Sequence, residues 1–158
     1  MPDPHPSSLY AILQRFAARQ PREEVARQYA ISSGMELDRR VLSFVAFLTS
    51  AVFLPLWLCA LLSVLEMAAE LAGFWLMRSL DPARQPLRYF GMLASYMVSQ
   101  AAYCLVPVLC WQLDDPMAKS YAVGAMMVSL IHVATVRTVH LPLAMAGGGV
   151  IEIGRAHV

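Results

Sequence analysis

Charge is scarce in this 158-residue chain: Asp, Glu, Lys and Arg make up 15% of it, against 58% hydrophobic residues. A soluble domain carries about a quarter charged and about half apolar residues, so this composition belongs to the membrane class. Lysine occurs once, at Lys119, and no basic patch interleaved with aromatics exists, so nucleic acid is not an expected partner. Cysteine is sparse too: Cys59, Cys104 and Cys110 all lie in apolar runs and form no CxxC pair. They read as buried thiols, not as zinc ligands or a secreted disulfide framework. Cys59 and Cys110 fall near the same ends of two spans, where a redox pair is conceivable and inert thiols are the better reading. A cleavable signal peptide is missing, because residues 1–40 are polar and arginine-rich where an apolar core would be needed. No Ser/His/Asp set, HExxH or nucleotide-binding pattern occurs, and Gly147-Gly148-Gly149 lacks the Lys-Ser/Thr that would follow in a phosphate loop. The chain thus offers no catalytic residue, no metal site and no cofactor site, and it is not expected to be an enzyme by itself.

What is present is a polar leader followed by long apolar runs. Residues 1–40 hold six arginines and read as a cytoplasmic juxtamembrane leader. Within it, residues 1–7 are Pro-rich, and Leu9, Ile12, Leu13 and Phe16 recur at helical spacing over 8–20. A second helix is expected from Pro21, with Glu23 and Glu24 in its first turn, Gly34 as its stop and a thin apolar stripe at Val25, Tyr29 and Ile31. From Val41 to Met77 the only charged residues are Glu66 and Glu70. As one helix this run would be roughly 55 Å long, too long for a single crossing of about 30 Å. A hairpin crossing at 41–62 and returning at 64–80 fits better than one crossing plus an interfacial helix. The reason is the 78–88 loop, whose Arg78, Arg84 and Arg88 belong on the side of the arginine-rich leader. Further spans follow at 89–112 and 118–136, separated by Asp114-Asp115-Pro116 on the outer side, and a fifth begins at 141–151. The expected fold is all-α, a polytopic membrane helix bundle of four spans plus the start of a fifth over 41–151.

Several residues are candidates for sensing or for packing inside the membrane. Glu66 and Glu70, spaced i, i+4, share one helix face. Placed just after an outer turn at residue 63, they read first as a hydrated interfacial face and second as a proton- or cation-responsive sensor. His132 lies inside the fourth span with no second strong ligand at matching depth, so it reads as a packing histidine bonded across the bundle. Arg137 and His140 mark the inner boundary, Arg137 as an interface anchor. Ser95, Tyr96, Ser99, Gln100 and Tyr103 form a polar stripe on the third span. It is compatible with a pocket for a small apolar ligand, which no sharper pattern supports. Gly91, Ser95 and Ser99 make a small-xxx-small ridge, read as bundle packing ahead of a dimer interface. Met92, Met97, Met126 and Met127 read as gap-filling core residues.

The stretches MELDRR, LPLWLCALLSVLEMAAELAGFW, LRYFGMLASYMVSQAAY and AVGAMMVSLIHVATVRTVHLPLAMAG together resemble the N-terminal transmembrane region of alphaproteobacterial sensor histidine kinases, often hybrid ones. Similar membrane modules also precede diguanylate cyclases. The resemblance implies a bacterial inner-membrane input module, a homodimer formed through the bundle and a missing cytoplasmic part, a response regulator as downstream partner, and ATP only in that missing part. It carries over no catalytic residue, and neither His132 nor His140 is in a setting that suits a phosphoacceptor. A fragment of a small transporter or permease is the competing expectation, hinted at by Pro55 and Pro107 within spans one and three and unsupported by any internal repeat. The tail Glu152 to Val158, EIGRAHV, resembles the in-frame translation of a common short-read sequencing adapter and is set aside as a non-native appendage. On that expectation the natural chain continues past residue 151.

Overall fold

Proline marks where three of the helices begin. The computed structural model describes residues 9–34, 36–136, 140–145 and 148. The described elements are α1 (Leu9–Ala18), α2 (Arg22–Gly34), α3 (Glu36–Ser50), α4 (Leu56–Met77), α5 (Pro86–Trp111) and α6 (Pro116–Val136). No strand occurs among the described residues. Pro86 and Pro116 occupy first helical positions, where the absent N–H costs nothing. Asp115 caps α6, its Oδ1 accepting from the Met117 N–H at 2.7 Å and the Ala118 N–H at 3.4 Å.

α4, α5 and α6 are each long and apolar enough to cross a membrane. Their surfaces are inverted relative to a soluble bundle. On α4, Trp57, Leu61, Val64, Leu65, Leu71 and Trp75 face outward, and on α6 so do Val123, Met127, Val128, Leu130 and Ile131. An apolar belt of this extent has no stable place in water, whereas hydrocarbon solvates it. Met97 and Met127 belong to that belt and are exposed, contrary to the expected core role. Met92 is buried, and Met126 is partly buried against Cys104 and Val133.

The hairpin breaks in a different place from the one hydropathy suggested. α4 runs unbroken through residues 62–64, and the turn lies at 51–55. Pro55 sets it: its ring disfavours helical geometry at Leu54, and its carbonyl then accepts the Leu58 and Cys59 N–H groups that begin α4. Ser50 ties the turn closed, its hydroxyl donating to the Phe47 carbonyl at 2.6 Å and lying 3.2 Å from Cys59 Sγ. Pro107 behaves oppositely and is carried inside a continuous α5. α3, with 15 residues, would be about 22 Å long at the helical rise, shorter than the three apolar helices that follow.

Two apolar clusters close the bundle at opposite ends. One gathers Phe47, Leu54, Cys59, Leu62, Val106, Cys110, Ala118 and Ala122 around the 51–55 turn and the 113–115 turn. The other gathers Ala17, Val25, Met77, Leu80, Tyr89, Met92, Tyr96 and Leu143 at the end carrying the 78–85 loop. The leader docks on this second end: Phe16 meets Phe90, and Tyr29 stacks on Phe74 with ring centroids 4.9 Å apart. The leader and the arginine-bearing loop therefore sit together. Arg88 also closes α4, donating to the Trp75 carbonyl at 3.2 Å and the Arg78 carbonyl at 2.8 Å, a cation on the negative end of a helix dipole.

α4 and α5 form the most extensive helix pair. Gly73 of α4 lies against Tyr96 of α5, where an added Cβ would sit 3.0–3.2 Å from the ring carbons of that buried side chain. Gly91, expected to be the close-approach residue, is different. A Cβ there would meet Leu76 at an ordinary 3.5 Å.

His140 is buried beneath the docked leader, its Nε2 3.3 Å from the Tyr89 hydroxyl. Burial pulls its pKa below the ordinary 6.5, and the nearby Glu24 carboxylate of α2 opposes that shift in part. The charged imidazolium is therefore disfavoured in the docked state. An undocked, hydrated His140 binds a proton below about pH 6.5 that the docked one resists, so docking weakens as pH falls through that value and is unaffected above it. Hydrogen exchange of the α2 amides should accordingly accelerate between pH 7 and pH 5.5, after correction for intrinsic exchange. His140→Gln should remove the effect, and an unchanged profile in that variant would assign it to another group.

Candidate functional site

Between the two apolar clusters lies a cavity of about 440 Å³, bounded by α3, α4, α5 and α6. Its volume is within the range of small-molecule sites, roughly 300–1,000 Å³. Leu42, Val45, Ala46, Ala125 and Val128 supply apolar wall. The polar groups come from every bounding helix: Ser43 from α3, Glu66 from α4, Ser99, Gln100 and Tyr103 from α5, and Tyr121, Ser129 and His132 from α6.

Glu66 is central to the arrangement. With the turn at 51–55, it is the eleventh of the 22 residues of α4, so it sits near mid-helix and not beside an outer turn. Its side chain is 4% exposed. The expectation of a hydrated interfacial face fails for Glu66 for that reason, since about 15 Å of helix separates it from either end. Ser43 donates its hydroxyl to Glu66 Oε1 at 3.3 Å, linking α3 to α4. Glu70, one turn further along, is half-buried and is not among the cavity-lining residues.

A second link joins α5 and α6. Gln100 Nε2 donates to Ser129 Oγ and lies 3.4 Å from Cys104 Sγ, and all three side chains are buried. Tyr121 makes a third, donating its hydroxyl to the Ala46 carbonyl at 2.6 Å and so bridging α6 to α3. Polar groups this deep in an apolar bundle hold the helices in one register, because each partner would otherwise face hydrocarbon.

Of the residues singled out by sequence, Glu66, Ser99, Gln100, Tyr103 and His132 come together at the cavity. Ser95 bonds its own helix through the Gly91 carbonyl at 2.9 Å, and a Cβ added at Gly91 would meet Leu76 of α4 at 3.5 Å. His140 belongs to the leader-docking end, and Arg137 lies outside the described residues, as do residues 146, 147 and 149–151 of the expected fifth span. All three cysteines are buried thiols outside any disulfide, with Cys59 and Cys110 in the same apolar cluster. Among the described residues no three His, Cys, Asp or Glu side chains gather as metal ligands. Sequence reading missed Ser43, Tyr121 and Ser129. Ser129 carried a signal in its i, i+3 spacing to His132, which puts both on one face of α6. Ser43 carried none, since a single serine in an apolar run has no partner until α4 is folded beside it.

No family model matches this sequence, and no curated protein or solved structure shows significant similarity to it.

Proposed function

We propose that this chain is the membrane-embedded input and anchoring module of a bacterial signal-transduction protein, a sensor histidine kinase whose catalytic part lies downstream. The observation carrying this reading is the cavity, in which polar side chains of four helices converge at mid-bundle between two apolar ends. A ligand seated there touches all four helices at once, so its binding energy can favour one packing of the bundle over another. The leader at one end of the same helices would pass the shift to a cytoplasmic output.

In this reading the module lies in the inner membrane with its N-terminus in the cytoplasm. The leader and the 78–88 loop share one end of the bundle, and arginine is concentrated there, which the positive-inside rule favours on the cytoplasmic side. Residues 36–55 then form the first of four crossings, α3 with its turn running antiparallel to α4. The partners are the bilayer, a second copy of the chain and a response regulator, and ATP acts only on the downstream part. Long-read sequencing of the source DNA across codon 151 tests the proposal. The expected continuation encodes a phosphoacceptor helix and ATP-binding motifs. A cyclase domain would keep the input role and change the output, whereas more spans with a mirrored Pro-broken hairpin would replace the reading with a transporter.

A further inference from the structure

We propose that α1 lies in the headgroup layer of an anionic membrane leaflet, with Leu9, Ile12 and Phe16 among the acyl chains and Arg15 and Arg19 on lipid phosphates. This contact requires only that the bundle be embedded in a bilayer and is independent of the signalling role. Three observations on the helix and its surroundings carry it.

The first is an apolar face that the protein covers only in part. Ala11 and Ala17 are the buried residues of α1, and Ala17 belongs to the cluster that closes the bundle at the leader end. Leu13 is half-buried. At about 100° per residue, Leu9, Ile12 and Phe16 fall within about 60° of one another and continue the arc of Leu13 and Ala17 outward. They are 71%, 56% and 44% exposed, although the Phe16 ring also leans on Phe90. Three large side chains fall well short of the roughly 20–30 residues a side that a stable protein interface uses, whereas a helix lying in a membrane surface needs only such a stripe.

The second is charge. From Leu9 to Arg22 the chain carries Arg15, Arg19 and Arg22 and no carboxylate. Arg15 and Arg19 are exposed and, spaced i, i+4, border the apolar stripe on the Ile12 side. Arginine side chains so placed lay their stems on apolar surface and reach phosphate oxygens, to which the planar guanidinium donates in pairs. The third is level. Phe16 meets Phe90, the fifth residue of α5, so α1 is held beside the end of a membrane-length helix. On α4, exposed Trp75 carries the Arg88 guanidinium 5.6 Å from its ring centroid, and exposed Leu87 stands at the start of α5. Aromatic rings and cations of this kind concentrate at a membrane–water boundary. The lipid-facing surface of α4 and α5 therefore reaches the level at which α1 is held.

The test uses the whole chain in nanodiscs of phosphatidylcholine, alone or mixed with phosphatidylglycerol. Nitroxide labels on Ile12→Cys and Gln14→Cys are probed by collision with oxygen, which concentrates in lipid, and with a nickel chelate, which stays in water. The parent chain, whose three thiols are buried, supplies the labelling background. In the mixed discs the Ile12→Cys label should favour oxygen and the Gln14→Cys label the nickel chelate. Amide exchange in α1 should slow about fivefold or more when phosphatidylglycerol is added, the effect of one arginine near an anionic surface. Arg15→Gln combined with Arg19→Gln should lose most of that slowing while circular dichroism is unchanged. All four positions are exposed, so these substitutions leave the packed bundle intact. A preference for the nickel chelate at both labels would place the stripe in water. Shielding of the Ile12→Cys label from both reagents would place a second copy or a later segment of the chain over it. Either result, exchange indifferent to phosphatidylglycerol, or slowing kept in the double variant would overturn the proposal. Continuation of the DNA into transporter spans would change the signalling role and leave this contact unaffected.

Discussion

Gly73→Leu should be among the most destabilising substitutions in the bundle. Tyr96 is buried against this glycine, and even a single Cβ at position 73 lies 3.0–3.2 Å from three of its ring carbons. Alanine requires the ring to give by a few tenths of an ångström, and leucine adds three more carbons where α4 and α5 already touch. Overpacking of this kind costs about 1–3 kcal/mol, and here it also separates the two helices that hold the cavity together. Thermal unfolding followed by circular dichroism in detergent should show a midpoint lower by several degrees in Gly73→Leu and by less in Gly73→Ala. Gly91→Ala is the control, since its Cβ would meet Leu76 at 3.5 Å and helix propensity favours alanine. A Gly73→Leu midpoint within a degree of the parent would mean that the α4–α5 contact is looser than the geometry indicates.

That contrast shows what the sequence made legible. Hydropathy located α5 and α6, and the C-terminal end of α4, to within a few residues, because burial in lipid demands uninterrupted apolar length and little else. It could not locate the first turn. Residues 41–77 are apolar throughout, so the signal that mattered was Pro55, a local backbone constraint that an average over many residues dilutes. The error moved Glu66 from the middle of a helix to its edge and so inverted its expected environment. The small-residue spacing Gly91, Ser95, Ser99 marks α5, yet the glycine whose added Cβ would press on the neighbouring helix is Gly73 on α4, a lone glycine without a partner in its own sequence pattern. The site was half readable for a related reason. Gln100 and His132 stand out as polar residues on apolar helices, but the serines that complete the cavity become meaningful only when helices far apart in sequence are neighbours, as Ser43 is to Glu66 and Ser129 to Gln100.

Tyr89→Ala should release the leader while leaving the cavity in place. Tyr89 is fully buried at the end of the bundle where Ala17, Val25, Met77 and Leu143 converge. Its ring meets Phe90 and His140 edge-on, and its hydroxyl reaches the His140 imidazole. Truncating a buried aromatic ring costs about 3–5 kcal/mol, since the void cannot collapse in a close-packed cluster. Most of that loss should fall on docking, because the leader residues Ala17 and Val25 belong to the same cluster, whereas the cluster around the 51–55 and 113–115 turns and the Glu66–Ser43 and Gln100–Ser129 links do not involve Tyr89. Amide exchange in α2 should therefore accelerate about a hundredfold or more, with the central amides of α4 and α5 little changed. Tyr89→Phe, which keeps the ring and loses the hydroxyl, should move α2 exchange by no more than about tenfold. If α2 stayed protected in Tyr89→Ala, the leader would be held mainly by the Tyr29–Phe74 stack, and the coupling between bundle and leader would run through α4. If it is released, the coupling runs through the start of α5, the helix that also carries Ser99, Gln100 and Tyr103 into the cavity.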